Sequence, residues 1–418
     1  MLRPIFTFTF IILGSIICCD VSVVEVYWNV SHILASCDGC APWPVIAANG
    51  SPHIPPVHVQ QGDILKLTVL NSLENATSIH IQGSKFNGAS YLDGTSMISE
   101  CGIPLGESYT TKYHTAYGLH TLLIVYEPPG KSVVHYDKDI FFTFEYWGEE
   151  TFLYHYNKQD VVKASELLPY YPDGLINGIN GNITQPVKLY RMRFVNLGAM
   201  YFKLRIPGHK MYVIEADSID AEPLERIATI ITAHNTNEFN YIYNVAMYAS
   251  SIVLNNKLNP RHYEGLIEYN SNAPVKTFPS PDDTKLQWQD DILLQPLNKQ
   301  LLLSKDGHSI VLKERTFTVG YGLPCFALGN VSYTPPLVPS LFSALSMGDL
   351  ALDARTYGPH SNAQLLKYMH VVEITIHFPS KKRLCFSHPR TFCSDRLVYF
   401  RTDDPGVWRL GDDISAHT

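Results

Sequence analysis

At 418 residues and 45% hydrophobic content, the chain is long enough for two or three domains with cores of their own. Its formal charge of −7, from 32 basic and 39 acidic residues, gives no electrostatic footprint for a nucleic-acid partner. Twenty-five tyrosines, 27 prolines and 26 glycines point to strands separated by many turns.

The first residues read MLRPIFTFTFIILGSIICCD. Arg3 precedes an apolar run from about Ile5 to Ile17, and small or polar residues follow, which predicts a cleaved secretory signal over residues 1–20. The run is shorter than the roughly 20 apolar residues a spanning helix needs, and no later stretch is apolar enough to cross a membrane. Five N-x-S/T sequons, at Asn29, Asn49, Asn75, Asn182 and Asn330, agree with a secreted or cell-surface glycoprotein. If Cys18 and Cys19 leave with the signal, six of the eight cysteines remain: Cys37, Cys40, Cys101, Cys325, Cys385 and Cys393. An oxidising compartment favours disulfides among them, with the pairing open. Cys37-Asp-Gly-Cys40 has C-x-x-C spacing, but no second C-x-x-C completes a four-cysteine metal site, and a disulfide is the simpler reading.

Alternating strands follow in chain order: GDILKLTVLNSL (62–73), HTLLIVYE (120–127), DIFFTFEYW (139–147), VKLYRMRFVNLG (187–198), KMYVIEADSI (210–219), NYIYNVAMYA (240–249), HVVEITIHF (370–378) and DRLVYFRTDD (395–404). The stretches at 62–73, 187–198 and 370–378 are one pattern recurring, with an Asn ending the strand in the first two. Helical periodicity is confined to short stretches near 159–167 and 338–347. Many short strands with Gly/Pro/Asn turns predict an all-β protein of sandwich or barrel domains, and the recurrence predicts related domains in tandem. Boundaries fall near 135 and 288, giving units over 21–135, 136–287 and 288–418, and the Pro- and Asp-rich segment 273–285 reads as a linker.

Taken together, the motifs resemble those of the fungal multicopper oxidases, nearest the iron-transport ferroxidases of the laccase and ascorbate oxidase superfamily. The resemblance rests on Asn75-Ala-Thr-Ser-Ile-His80-Ile-Gln-Gly83, Leu92-Asp93-Gly94, Cys101-Gly-Ile-Pro104 and Tyr117-Gly-Leu119 in the first unit. In the second it rests on Pro172-Asp-Gly-Leu-Ile-Asn177-Gly, Arg193-Phe-Val-Asn196 and Gly208-His-Lys210 with Val213-Ile-Glu-Ala-Asp217. In the third it rests on Leu294-Gln295-Pro296, Tyr333-Thr-Pro-Pro-Leu-Val-Pro339, Gly348-Asp349, Val371-Val-Glu-Ile-Thr375 and Asp404-Pro-Gly-Val-Trp408. The resemblance implies tandem cupredoxin-like Greek-key β-sandwich domains, the third truncated. It also implies a copper cofactor and, by analogy, an iron-permease-type membrane partner.

The family's chemistry needs a thiolate and imidazoles: a blue copper held by Cys and His, and a three-copper cluster held by four H-x-H motifs. In a strand, two histidines flanking one residue share a face, so such a pair grips two ions. Here the first motif is His80-Ile81-Gln82, with an amide in place of the second imidazole. The stretch expected to carry the second is missing before Tyr117, and His114 and His120 match no ligand position. The third is missing after Ile376, where His377 and His388 carry no motif. At the fourth, Gly411-Asp412-Asp413 stands where the family has His-Cys-His, and His417 falls at the last ligand position. His80 and His417 are thus the residual copper positions. Acidic iron-binding positions also lack acids, matching Pro169 and Ser250-Ser251. Cys101 matches a family cysteine whose partner near the C-terminus is absent, and His209 matches a packing histidine. The expectation is a degenerate, secreted ferroxidase-type homologue without copper-dependent oxidase activity. The alternative is a working iron-transport ferroxidase whose ligand segments were omitted from the coding sequence; omission explains deletions but not Gln82, Asp412 or Asp413.

Overall fold

The computed structural model describes residues 22–36, 42–81, 86, 88–110, 121–126, 139–147, 173–177, 184–186, 191–196, 201–216, 226–231, 238–248, 261–278, 307–319, 323–377 and 395–410. Among them each sheet draws its strands from one of three stretches of chain. The first holds β1 (Val23–Ala35), β2 (Trp43–Ala48), β3 (Val57–Gln60), β4 (Ile64–Asn71), β5 (Ser108–Thr110) and β6 (Leu123–Tyr126). Its main sheet has the order β2-β1-β4-β5, with β3 and β6 paired apart. In β4, Leu65, Leu67, Val69 and Asn71 are buried while Lys66 and Thr68 point outward, as the alternation predicts. Trp28 and Val30 from β1 join Leu67, Val69, Ile79, Ile81 and Ile103 in one buried cluster.

The second stretch holds β7 (Asp139–Trp147), β8 (Asp173–Ile176), β9 (Thr184–Pro186), β10 (Arg191–Asn196), β11 (Tyr201–Arg205), β12 (Met211–Ala216), β13 (Arg226–Ile231), β14 (Asn240–Tyr248), β15 (Arg261–Glu268) and β16 (Val275–Lys276). Two sheets, β12-β13-β10-β7-β8 and β11-β14-β15-β9, face each other across Phe142, Phe144, Phe194, Tyr241, Tyr243 and Val245. This is sandwich packing of two alternating inner faces. The third stretch holds β17 (His308–Val319), β18 (Leu323–Leu328), helix α1 (Ser340–Ser346), β19 (Val371–His377) and β20 (Asp395–Arg401), with sheet order β18-β17-β19-β20. Its buried cluster is smaller, formed by Ile310, Leu312, Val372 and Ile374 among the described residues.

The recurring motif occupies one topological place. Its three copies are β4, β10 and β19, and each lies parallel to the first strand of its stretch: β1–β4, β7–β10 and β17–β19. On its other side each has an antiparallel neighbour, respectively β5, β13 and β20. Identical placement in three sheets explains why the pattern recurs: each copy is a central strand with one buried face.

The 273–285 segment departs from the linker reading at its start. Val275 and Lys276 add a short parallel strand to β14, Phe278 stacks on Tyr241 at a ring distance of 6.3 Å, and the Lys276 ammonium lies 5.2 Å from the Phe239 ring. The aromatic surface at the sandwich end holds the chain there. The helical stretch near 338–347 is α1, while 159–167 lies outside the described residues. Two small clusters join the first stretch to the second, one through Val45 and Leu175, the other through Leu122, Ile124 and Val195.

Candidate metal centre

His80 follows β4 on a segment fixed by Asn71. The Asn71 side chain is fully buried, donates to the carbonyls of Asn75 (2.9 Å) and Ile103 (2.7 Å), and accepts from the Leu73 amide (2.9 Å). A short bridge between Thr77 and Ile103 extends this anchor. Ile79 and Ile81 point into the core, so His80 between them faces the opposite way with its side chain 36% exposed.

Its ring is oriented by three oxygens. Nδ1 lies 2.9 Å from the Asp93 carbonyl, 3.2 Å from Asp93 Oδ1 and 3.3 Å from Thr95 Oγ1. A carbonyl oxygen only accepts, so Nδ1 carries the hydrogen and the lone pair of the neutral ring sits on Nε2. Thr95 in turn donates its hydroxyl to Asp93 Oδ2. A carboxylate and a carbonyl holding the remote ring nitrogen are what fix the tautomer of a metal-binding imidazole.

Close by is a second, unlike acid. Glu100 is 3% exposed, and among the described residues neither of its carboxyl oxygens has a hydrogen-bond partner. Burial, reinforced by the negative charge of Asp93, pushes its carboxyl up to about 7. Asp93 is equally buried, at 3%. Among the described residues no three His, Cys, Asp or Glu side chains converge to hold a metal ion.

The third stretch reaches this site at two points. The Ser340 and Leu341 amides donate to the carbonyls of Met97 (3.2 Å) and Ile98 (2.8 Å). The Asp404 carboxylate accepts from the amides of Phe86 (2.7 Å) and Gly88 (2.8 Å), with Trp408 stacked on Phe86 at 6.2 Å. Gly406 approaches Ser90 so closely that a Cβ there would lie 2.4 Å from Ser90 Cβ. Arg409 lies 5.5 Å over the Tyr333 ring.

Of the two positions that the resemblance implies as residual copper ligands, His80 is placed by these contacts. His417 lies outside the described residues, as do Gln82, His114, His120, His388, Gly411, Asp412, Asp413, Cys37, Cys40, Cys385 and Cys393. Cys101 is an unbridged, exposed thiol. His209 packs between Tyr241 and Tyr269, with Nε2 2.6 Å from the Tyr269 hydroxyl. Among the sequons, Asn75 and Asn330 are exposed. Asn49 accepts from the Asn29 amide and donates to the Tyr27 carbonyl, both at 2.8 Å, while Asn29 accepts from the Ser72 hydroxyl. Asn182 lies outside the described residues. Sequence reading passed over Thr95 and Glu100 and took Asp93 and Asp404 only as motif letters. A Thr two residues after an Asp was a local signal for the first pair; nothing in the sequence marked Glu100 as buried.

Profiles described as "Multicopper oxidase" match residues 29–123 and 145–261. The iron transport multicopper oxidase fetC of Epichloe festucae is 28% identical over 98% of this chain and 70% of its own length. The iron multicopper oxidase fer1 of Mycosarcoma maydis is 28% identical over 85% of this chain and 66% of its own, and fio1 of Schizosaccharomyces pombe is 28% identical over 88% and 65%. The chain therefore spans about two thirds of the length of these relatives. The crystal structure of Fet3p, a multicopper oxidase that functions in iron import, superposes with a TM-score of 0.73 at 20% identity, over 92% of this chain and 86% of that one. A laccase from Botrytis aclada gives 0.62 at 18% identity, over 86% and 72%. With a cupredoxin-like β-sandwich fold and both profiles matched, the chain belongs to the multicopper oxidase family.

Proposed function

We propose that this chain is a secreted, ferroxidase-type member of the family that has lost copper-dependent oxidase activity. The observation that carries the reading is Asp412 at the thiolate position, flanked by Gly411 and Asp413 in place of two imidazoles. A carboxylate forms no copper–thiolate bond, and that bond tunes a blue-copper site. Gln82, in place of the second imidazole of the first H-x-H, weakens the other half of the donor set. These residues do not fit the family's copper ions, and no oxidation step is routed through them. Three sandwich units over 21–135, 136–287 and 288–418, an iron-permease-type partner and N-glycans on the sequons complete the proposal, supported by the motif order and by the iron-transport relatives.

A second reading has one observation in its favour. His80 is held by Asp93 and Thr95 in the tautomer a metal ligand needs. That is what a working ferroxidase would keep if its other ligand segments were left out of the coding sequence. Sequencing the transcript separates the two, because it shows whether the message carries further ligand segments, and oxygen uptake by the purified, copper-supplemented chain in the presence of ferrous ion tests the proposal itself. The proposal expects the rate of ferrous ion alone; catalysed uptake by this polypeptide would overturn it.

A further inference from the structure

The contact between the first and third stretches is built around a turn under stress. Residues 95–100 fold back so that the Thr95 carbonyl accepts from the amides of Ile98 and Ser99 (3.2 and 2.9 Å), and the Glu100 carbonyl accepts from Met97 (2.7 Å). Met97 sits at φ +59°, a left-handed conformation that a non-glycine side chain adopts at a cost. The turn thereby presents the Met97 and Ile98 carbonyls to Ser340 and Leu341, where α1 begins. Ser340 and Leu341 are buried against it.

The turn ends on Glu100, whose carboxyl is buried and, among the described residues, without a hydrogen-bond donor. Among the described residues, the charged groups that act on it are few. Asp93 repels its anion, and Asp93 is itself bound by His80 and Thr95. From β5, the Tyr109 phenol is raised by burial and then by the charges of Glu100 and the Tyr91 phenol. The α1 segment brings Ser340 and Leu341, neither of which ionises. No cation among these groups is positioned to compensate a second buried carboxylate beside Asp93.

We propose that Glu100 is a proton-operated latch: while it is protonated the 95–100 turn holds the 339–341 segment, and its ionisation releases that segment. The neutral acid tolerates burial, whereas the anion needs water or a donor that the closed turn lacks. Opening the turn supplies water and breaks the two backbone bonds to Ser340 and Leu341. The sign follows from the raised carboxyl. A group whose closed-state pKa lies above its open-state value binds more protons when closed, so closure is strongest below the open-state value and weakens as pH rises to about 7. The contact is then firm in acid and loose at alkaline pH. The latch does not depend on copper, so it stands or falls apart from the loss of oxidase activity.

Hydrogen exchange of the full chain from about pH 5 to pH 9, corrected for intrinsic exchange, tests it. The Ser340 and Leu341 amides should lose about 10- to 100-fold of their protection across the transition in wild type, and E100Q should abolish that loss. D93N should move the transition to lower pH without removing it, which keeps the test open if E100Q does not fold. A flat profile in wild type, or an unchanged transition in E100Q or in D93N, would overturn the latch.

Discussion

Asp404 is the firmest link between the third stretch and the candidate site, and replacing it with alanine tests how the two are joined. Its carboxylate accepts from the Phe86 amide at 2.7 Å and the Gly88 amide at 2.8 Å, more than 300 residues away along the chain. A hydrogen bond to a charged acceptor contributes about 1.5–3 kcal/mol net. The Phe86 bond is partly buried, while the Gly88 bond is exposed, so water recovers much of the second. The expected loss for D404A is then about 2–3 kcal/mol in local opening free energy, or roughly 30- to 150-fold faster exchange at Phe86. Exchange at that amide is the right readout, because a chain of several sheets need not melt in a single two-state transition. D404N should fall between, since its amide offers only one accepting atom. Trp408 gives a second check: its indole donates to the Asp404 carbonyl at 3.2 Å and its ring stacks on Phe86, so loosening the clasp should also expose it to quenchers. An exchange rate in D404A within threefold of wild type would refute the claim that this carboxylate clasps the two stretches together.

Two further substitutions test close backbone approaches. At Gly406 an added Cβ would meet Ser90 Cβ at 2.4 Å and Oγ at 2.7 Å; the Ser90 Cβ is fixed to its own backbone and cannot swing aside, so G406A should weaken the same clasp by about 1–3 kcal/mol. Exchange at Phe86 reads this, and an unchanged rate would contradict the packing. In the second stretch, Gly265 of β15 lies opposite Tyr243 of β14, and a Cβ would fall 2.2 Å from the buried ring. The usual gain of about 0.4–1 kcal/mol for Gly→Ala through the unfolded state is smaller than the roughly 1–3 kcal/mol cost of overpacking. G265A should therefore lower the thermal midpoint; one at or above wild type would refute the assignment.

The strands were legible because one-sided burial imposes a period of two, and β7 and β14 fall where the alternation placed them. The three recurring strands were legible for the same reason, since each is a central strand with the same neighbours. What the pattern did not reveal was partnership. β1 alternates as clearly as β4, yet nothing local showed that the two run parallel, because their pairing closes a long loop. Lys276 and Phe278 read as linker because their neighbours are Pro and Asp; what holds them is an aromatic face assembled by distant strands. At the site, His80 was visible through its motif, and its ring orientation was not, since Asp93 and Thr95 reach it only after the chain turns back. Glu100 was the least visible. Its character comes from burial beside Asp93, a property of the folded chain alone.

On the proposed function, Asp412 stands at the position of the sulfur ligand, and Gln82, Gly411 and Asp413 at positions of imidazoles. The most direct measurement is the copper content of the purified chain after equilibration with copper, read with its visible absorption spectrum. The account predicts well under a full complement of copper and no blue-copper band. A full complement with an intense thiolate-to-copper band would contradict it.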